Sequence, residues 1–302
     1  MGPDLDTLVT TLYVTIDDLL VRFPDWAPRR PVVGIAPQLS DAELVCLAVI
    51  QPLLGFDSEA RFIRFARAHL RPWFPYLPNR AGYNKRLRRS VGLLQEVTAW
   101  LGRNSPSWFD DLWLMDSTPI ECGRSRETVK RSELGGWAEY GYSASHSRYF
   151  WGLRLHMVAT PAGLPIAWAL TGAKTDERKI AAQMLTHDGI ARKGQTIIAD
   201  KGYKSAHFEK TLQTSGIALI RPATKTEQPR PDKPYLRTFR QTIESIFDTL
   251  KNQLGLERHG GRTPTGVTAR ILQRILALTA VIWHNQTTNQ PGPARSLTAY
   301  DH

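Results

Sequence analysis

Two aspartates stand where an aspartate is costly. Asp116 follows Leu112, Leu114 and Met115 at the end of one apolar run, and Asp200 follows Ile197, Ile198 and Ala199 at the end of another. A carboxylate that closes a buried strand needs a partner, and a divalent cation held through oxygen is the natural one. The plainer alternative is a turn or cap, because Asp116 precedes Ser117 and Thr118 while Asp200 precedes Lys201 and Gly202. A third carboxylate bears on the choice. Arg237, Arg240, Glu244, Asp248 and Lys251 recur at i, i+3, i+7, i+11 and i+14, one stripe of a helix. Ile243, Ile246, Phe247, Leu250 and Leu254 form the adjoining apolar stripe, so the charges border the core. They are either intrahelical ion pairs, Arg240 with Glu244 and Asp248 with Lys251, or a glutamate presented to the rim where the two aspartates end. In the second reading the flanking cations hold phosphates. Spacing alone does not separate the two.

The elements around these residues follow from their patterning. Asp111 to Ile120 reads as a strand, and Tyr149 to Thr160 and Leu164 to Thr171 as an antiparallel hairpin turning at Pro161–Gly163. Asp176 to His187 reads as a helix, Thr196 to Asp200 as a buried strand, Ser205 to Ser215 as a helix and Ile217 to Arg221 as a last strand. That order implies an α/β unit with one central mixed sheet, whose neighbouring strand ends meet at one rim. A Pro-rich loop, Thr224 to Pro234, leads to helices at about Leu236–Leu254 and Thr265–Asn285.

The N-terminal third reads as all helix. Apolar residues from Leu8 to Leu20 keep helical spacing, and a Pro-rich connector, Pro24 to Pro37, ends that helix. Ser40 with Glu43 spells a capping box, a second helix spans Ser58 to Leu70, and Asn79 caps a third that runs to about Leu101. Between Arg61 and Arg103 ten basic residues, among them Arg64, Lys85, Arg86, Arg88 and Arg89, face only Glu96, a local net of +9. Helix, break and basic helix is the pattern of a helix-turn-helix DNA reader, the alternative being a solvated basic face. Tyr76, Tyr83 and Asn84 interleave with the charges and could stack or hydrogen-bond.

The 302 residues carry 42% hydrophobic side chains and a net charge of +11, which makes a polyanion the first partner to consider. Cys46 and Cys122 exclude a disulfide framework and lack zinc-site spacing. No uninterrupted apolar run of about 18 residues spans a bilayer and no basic residue precedes Arg22, so no membrane partner is expected and a cytoplasmic, nucleoid-associated location is. His146, His156, His187 and His207 share no metal-ligand spacing, and His156 is expected to be a satisfied sheet residue. His259, Gly260, Gly261 and Arg262 form a basic loop, either a plain interhelical turn or a DNA contact. Trp137, Tyr140, Tyr142, Tyr149 and Trp151 read mainly as packing, with one or two able to stack on an unpaired base.

Asp116 in MDSTPI, Asp200 in IIADKGY, and Arg240-x3-Glu244-x6-Lys251 resemble the Asp-Asp-Glu triad of bacterial insertion-sequence transposases of the DDE type. The resemblance covers about Trp108 to Asn285. Arg237 stands where many members have a tyrosine, and the 44 residues from Asp200 to Glu244 leave no room for the β domain some relatives insert there. The resemblance implies an RNase H-like catalytic domain over 108–287, while the residues outside it read as a helix-turn-helix-like domain over 1–105 and a disordered tail over 288–302. It also implies a metal-dependent endonuclease and strand transferase. Asp116, Asp200 and Glu244 would hold two Mg²⁺ or Mn²⁺ ions, with Arg240 and Lys251 on phosphates. The implied partners are the element's terminal inverted repeats, target DNA and a second copy of the chain. Two rivals remain at this stage: a nuclease of the same fold without strand transfer, and an inactive DNA-binding remnant or repressor.

Overall fold

The computed structural model describes residues 3–30, 36–143, 147–186, 190–228 and 233–300. His146, His187 and parts of the two Pro-rich segments, 31–35 and 229–232, lie outside them. In chain order the elements are α1 (Pro3–Arg22), α2 (Asp41–Leu53), α3 (Glu59–His69), α4 (Arg80–Arg89), α5 (Val91–Arg103), β1 (Leu112–Gly123), α6 (Arg126–Arg131), β2 (Glu139–Ser143), β3 (Arg148–Ala159) and β4 (Pro165–Gly172). There follow α7 (Glu177–Thr186), β5 (Thr196–Ala199), α8 (Ala206–Thr214), β6 (Ala218–Ile220), α9 (Lys233–Asp248) and α10 (Pro264–Thr287). They form two compact units, Met1–Ser105 with Leu250–His302, and Pro106–Thr249.

The first unit is helical. Its starts are set by side-chain caps: Ser40 Oγ accepts from Glu43 N at 3.0 Å while Glu43 Oε2 accepts from Ser40 N at 2.5 Å, and Asn79 Oδ1 accepts from Gly82 N at 2.7 Å. The single helix expected from Asn79 to Leu101 is two, because Ser90 leaves the helical region at φ −92°, ψ 12° and turns α4 into α5. The largest departure is α10, which is buried on every side from Ala269 through Asn285, Arg270, Gln273 and Arg274 included, against α1, α2, α4 and α5. By length and composition α10 could cross a bilayer, yet here it is the core of this unit. The sequence division at 108–287 therefore does not coincide with the compact units, since the packing surface of α10 belongs with the N-terminal helices.

The expected disordered tail also differs. Leu297 and Tyr300 are buried, Tyr300 Oη donates to Asn285 Oδ1 at 2.5 Å and lies 2.8 Å from His284 Nδ1. Asn285 Nδ2 donates to the carbonyls of Ala294 and Ser296. Buried polar groups near the end of α10 find partners in the tail, and that holds it.

The second unit is a mixed sheet with flanking helices. Its strand order is β2-β3-β1-β5-β6, with β4 also on β3. β3 runs antiparallel to β1 along most of its length, and its other edge carries β2 over residues 148–152 and β4 over 153–159. β5 and β6 add in parallel on the far side of β1. The strand β2 has no counterpart in the sequence reading, because Gly141 between two tyrosines breaks the apolar pattern. α9 packs on β1 and β5 through Ile243, Ile246 and Phe247.

Candidate active site

Strand register brings the two aspartates together. β1 and β5 pair from Leu112 opposite Thr196 to Met115 opposite Ala199, so Asp116 and Asp200 are the next pair along two parallel strands. Asp116 is still paired to Met157 of β3, whereas the chain leaves the sheet at Asp200. A rim opens at that departure, beside the strand that continues. α9 lies on these same two strands and supplies Glu244.

Asp116 is half-buried, and Ser117 N donates to its Oδ1 at 2.8 Å. Desolvation pushes its carboxyl from 3.8 up to about 7; the Ser117 N–H opposes this, and the charges of Asp200, Glu177 and Glu244 add to it. Asp200 is exposed, and its Oδ1 accepts from Gly202 N at 2.6 Å, capping the turn Lys201–Tyr203. The cap and the rim position are thus properties of one side chain rather than alternatives. Glu244 Oε1 accepts from Arg240 Nε at 2.9 Å, with both side chains more than half exposed. That intrahelical pair is worth a few tenths of a kcal/mol, too little to hold Glu244 against a stronger partner.

The straight charged stripe does not extend to Lys251. After Asp248 the chain makes a π-helical turn, Thr249–Gln253, which shifts every later side chain around the axis. Lys251, in the helical unit, places its Nζ 3.5 Å from Glu257 Oε1.

The donors are hard oxygen ligands of the kind Mg²⁺ and Mn²⁺ take, and Asp116, raised mainly by desolvation, also feels the like charges of Asp200, Glu177 and Glu244 that a divalent cation would neutralise. By donor chemistry the site fits such an ion. Among the described residues, however, no three His, Cys, Asp or Glu side chains are gathered as a ligand set.

Around Asp116 the structure adds residues that the sequence reading did not single out. Ser117 Oγ donates to Glu177 Oε1 at 2.8 Å, Arg154 Nη1 donates to the same oxygen at 2.6 Å, and Tyr203 is buried nearby. Glu177 opens a helix and Arg154 lies within a strand, so neither has a strand-end signature. His156 is a fully buried sheet residue but only half satisfied: Nε2 lies 2.8 Å from Thr171 Oγ1, while Nδ1 has no hydrogen-bond partner among the described residues. Desolvation, aided by the charge of Arg154, lowers it from 6.5 to about 4. Its contribution to stability is therefore present in full above pH 6.5 and lost as the pH falls toward 4. His156→Gln, which can keep the bond to Thr171, is expected to flatten the fall of Tm between pH 6.5 and 4, read by thermal melts. An unchanged slope would refute this.

In the helical unit Arg64 of α3 and Lys85, Arg88 and Arg89 of α4 are exposed, as is Arg262 before α10. Arg86 departs from the expected phosphate contact. Its guanidinium turns inward, donating to Leu39 O and to Asp41 Oδ1 at 2.5 Å each, which ties α4 to the start of α2. Tyr83 and Asn84 are likewise engaged, with Gln51 and Glu59 respectively. Tyr140, Tyr142 and Tyr149 are exposed on the β2–β3 pair, while Trp151 is buried.

A search of curated proteins finds no match. A family model described as "Transposase DDE domain" matches residues 107–280, a span that contains Asp116, Asp200 and Glu244 and exceeds half of the chain. The chain belongs to the transposase DDE domain family.

Proposed function

We propose that this protein is an insertion-element transposase that binds the ends of its element, cleaves DNA with two divalent metal ions and joins the freed end to target DNA. The observation that carries the reading is the register of β1 and β5, which sets Asp116 beside Asp200 in a chain of this family. The antiparallel run β4-β3-β1, with β5 and β6 in parallel on its other side, supports an RNase H-like sheet. The succession α2, α3, α4 with exposed cations supports a helix-turn-helix-like reader.

Asp116, Asp200 and Glu244 would hold the ions, which supply activation of the attacking water or 3′-hydroxyl and stabilise the leaving oxygen. Asp116, on the continuous strand, is the fixed donor. Glu244, whose hydrogen bond among the described residues comes from Arg240, would be the donor that swings in, and its release would leave the Arg240 guanidinium available to a phosphate oxygen. Two DNA ends joined in one reaction call for two copies of the chain. The test is incubation of the protein and Mg²⁺ or Mn²⁺ with a supercoiled plasmid that carries the element's ends, plus a separate target duplex. Joined products support transposition, cutting without joining supports the nuclease, and binding without cutting supports the repressor.

The basic helices give a second test. Arg88→Ala and Arg89→Ala are each expected to weaken end binding and to lower the slope of log K against log salt by about one. Arg86→Ala is expected to act on stability instead, costing about 2 kcal/mol through the lost charged hydrogen bonds to buried Asp41. Fluorescence anisotropy at several salt concentrations, beside urea melts, separates the two effects. Equal salt slopes for wild type and Arg88→Ala would remove α4 from the DNA interface.

A further inference from the structure

The rim that holds Asp116 and Asp200 is braced from one place, the first turn of α7. On one side Glu177 Oε1 accepts from Ser117 Oγ at 2.8 Å, directly after Asp116 in β1. Arg154 Nη1 reaches both that carboxylate oxygen, at 2.6 Å, and Ser117 Oγ, at 3.1 Å, so the three groups close a triangle. On the other side Arg178 Nη1 donates to Lys204 O at 3.2 Å, at the end of the turn that Asp200 caps. Consecutive residues of one helix thus touch the segments that carry both aspartates.

The second of those segments, the turn capped by Asp200, ends on Tyr203. Its side chain is 1% exposed, its hydroxyl has no hydrogen-bond partner among the described residues, and its charged neighbours are Glu177, Asp116, Asp200 and Arg154. A buried hydroxyl without a partner costs about 1–3 kcal/mol. The acceptors in its surroundings are the carboxylates of the rim.

We propose that Glu177 and Tyr203 are positioning residues of the carboxylate site, Glu177 fixing Asp116 through Ser117 and Arg154, and Tyr203 donating its hydroxyl proton to a rim carboxylate when the metal is held. Glu177 Oε1 accepts from both Arg154 and Ser117, and the proposal gives this carboxylate the task of orienting Asp116 rather than of holding the ion. The inference rests on the metal-site reading of Asp116 and Asp200 given above.

The test is titration of the full-length protein with Mn²⁺ alone, followed by calorimetry, with thermal melts and Mn²⁺-dependent plasmid cleavage alongside. Glu177→Ala is expected to weaken Mn²⁺ binding by about 10-fold or more, the usual effect of losing a group that orients a ligand. Glu177→Gln keeps an acceptor for Ser117 and Arg154, so it is expected to stay within about threefold of wild type. Tyr203→Phe is expected to keep or raise the Tm, since it deletes an unsatisfied hydroxyl, and yet to weaken Mn²⁺ binding. A purely structural tyrosine would not separate those two readouts. Glu177→Gln failing as badly as Asp116→Ala would make Glu177 a ligand and overturn the proposal, as would Glu177→Ala and Tyr203→Phe binding Mn²⁺ like wild type. If wild type itself neither binds Mn²⁺ nor cuts DNA, the underlying metal-site reading fails instead.

Discussion

Asp116→Asn is expected to abolish metal-dependent cleavage while making the metal-free protein more stable at alkaline pH. The two effects share one cause. Asp116 is ionised at a cost, its carboxyl raised from 3.8 to about 7 first by desolvation and then by Asp200, Glu177 and Glu244. For an acid raised on folding, the stabilising contribution is complete below pH 3.8 and disappears as the pH rises through about 7. Wild type without metal should therefore melt at a lower temperature at pH 8 than at pH 5 on this account, and Asp116→Asn should lose that part of the slope. The same substitution removes a charge that a divalent ion needs, and metal stabilisation of several kcal/mol in a transition state corresponds to a loss of about a thousandfold or more. Plasmid nicking with Mg²⁺ and thermal melts at the two pH values read both effects. A stable variant that still cuts would show that Asp116 is a residue of β1 with no part in the metal chemistry. Glu244→Ala belongs in the same assay: if it cuts like wild type, the bond from Arg240 is that glutamate's whole role.

The pair of aspartates was legible because a carboxylate that ends a short apolar run is rare and local, although the strand itself ends only at Asp200, β1 running on past Asp116 to Gly123. Whether two such ends meet is a matter of register, which the two short patterns LWLM and TIIA constrain only through the requirement that both be buried. Helical periodicity put Glu244 on the charged stripe of α9 without deciding its role, and the same periodicity does not carry on to Lys251, since nothing in TLKNQ announces a π-helical turn. Glu177, Arg154 and Tyr203 were invisible for a different reason: their meaning lies in contacts between elements far apart in sequence. Arg86 illustrates the limit of reading charge runs. Among neighbouring cations in α4 the sequence does not reveal that one guanidinium turns inward to Asp41 while Arg88 and Arg89 face solvent.

The division of the chain leads to the other large effect. Residues 1–105, produced alone, are expected not to fold cooperatively, although they contain α1 to α5 and the basic residues assigned to DNA. The reason is α10. Val267, Ile271, Leu272, Ile275, Leu276, Leu278, Val281, Ile282 and Trp283 are buried in that unit. At roughly 1.5 kcal/mol or more for each side chain, their removal from the core would match the whole stability of about 5–15 kcal/mol that a typical domain possesses. Polar bonds point the same way: buried Gln273 donates to Ala48 O at 2.9 Å and to Gln51 Oε1 at 3.2 Å, and Arg270 pairs with Glu59, so truncation leaves buried partners unsatisfied in α2 and α3. Circular dichroism melts of the fragment and of the full chain test this. A fragment that melts as sharply as the full chain, and near the same temperature, would show α10 to be dispensable. Otherwise the basic helices proposed to read DNA depend on a helix encoded after the proposed catalytic residues, and on that proposal end binding cannot be separated from the rest of the chain by cutting at residue 105.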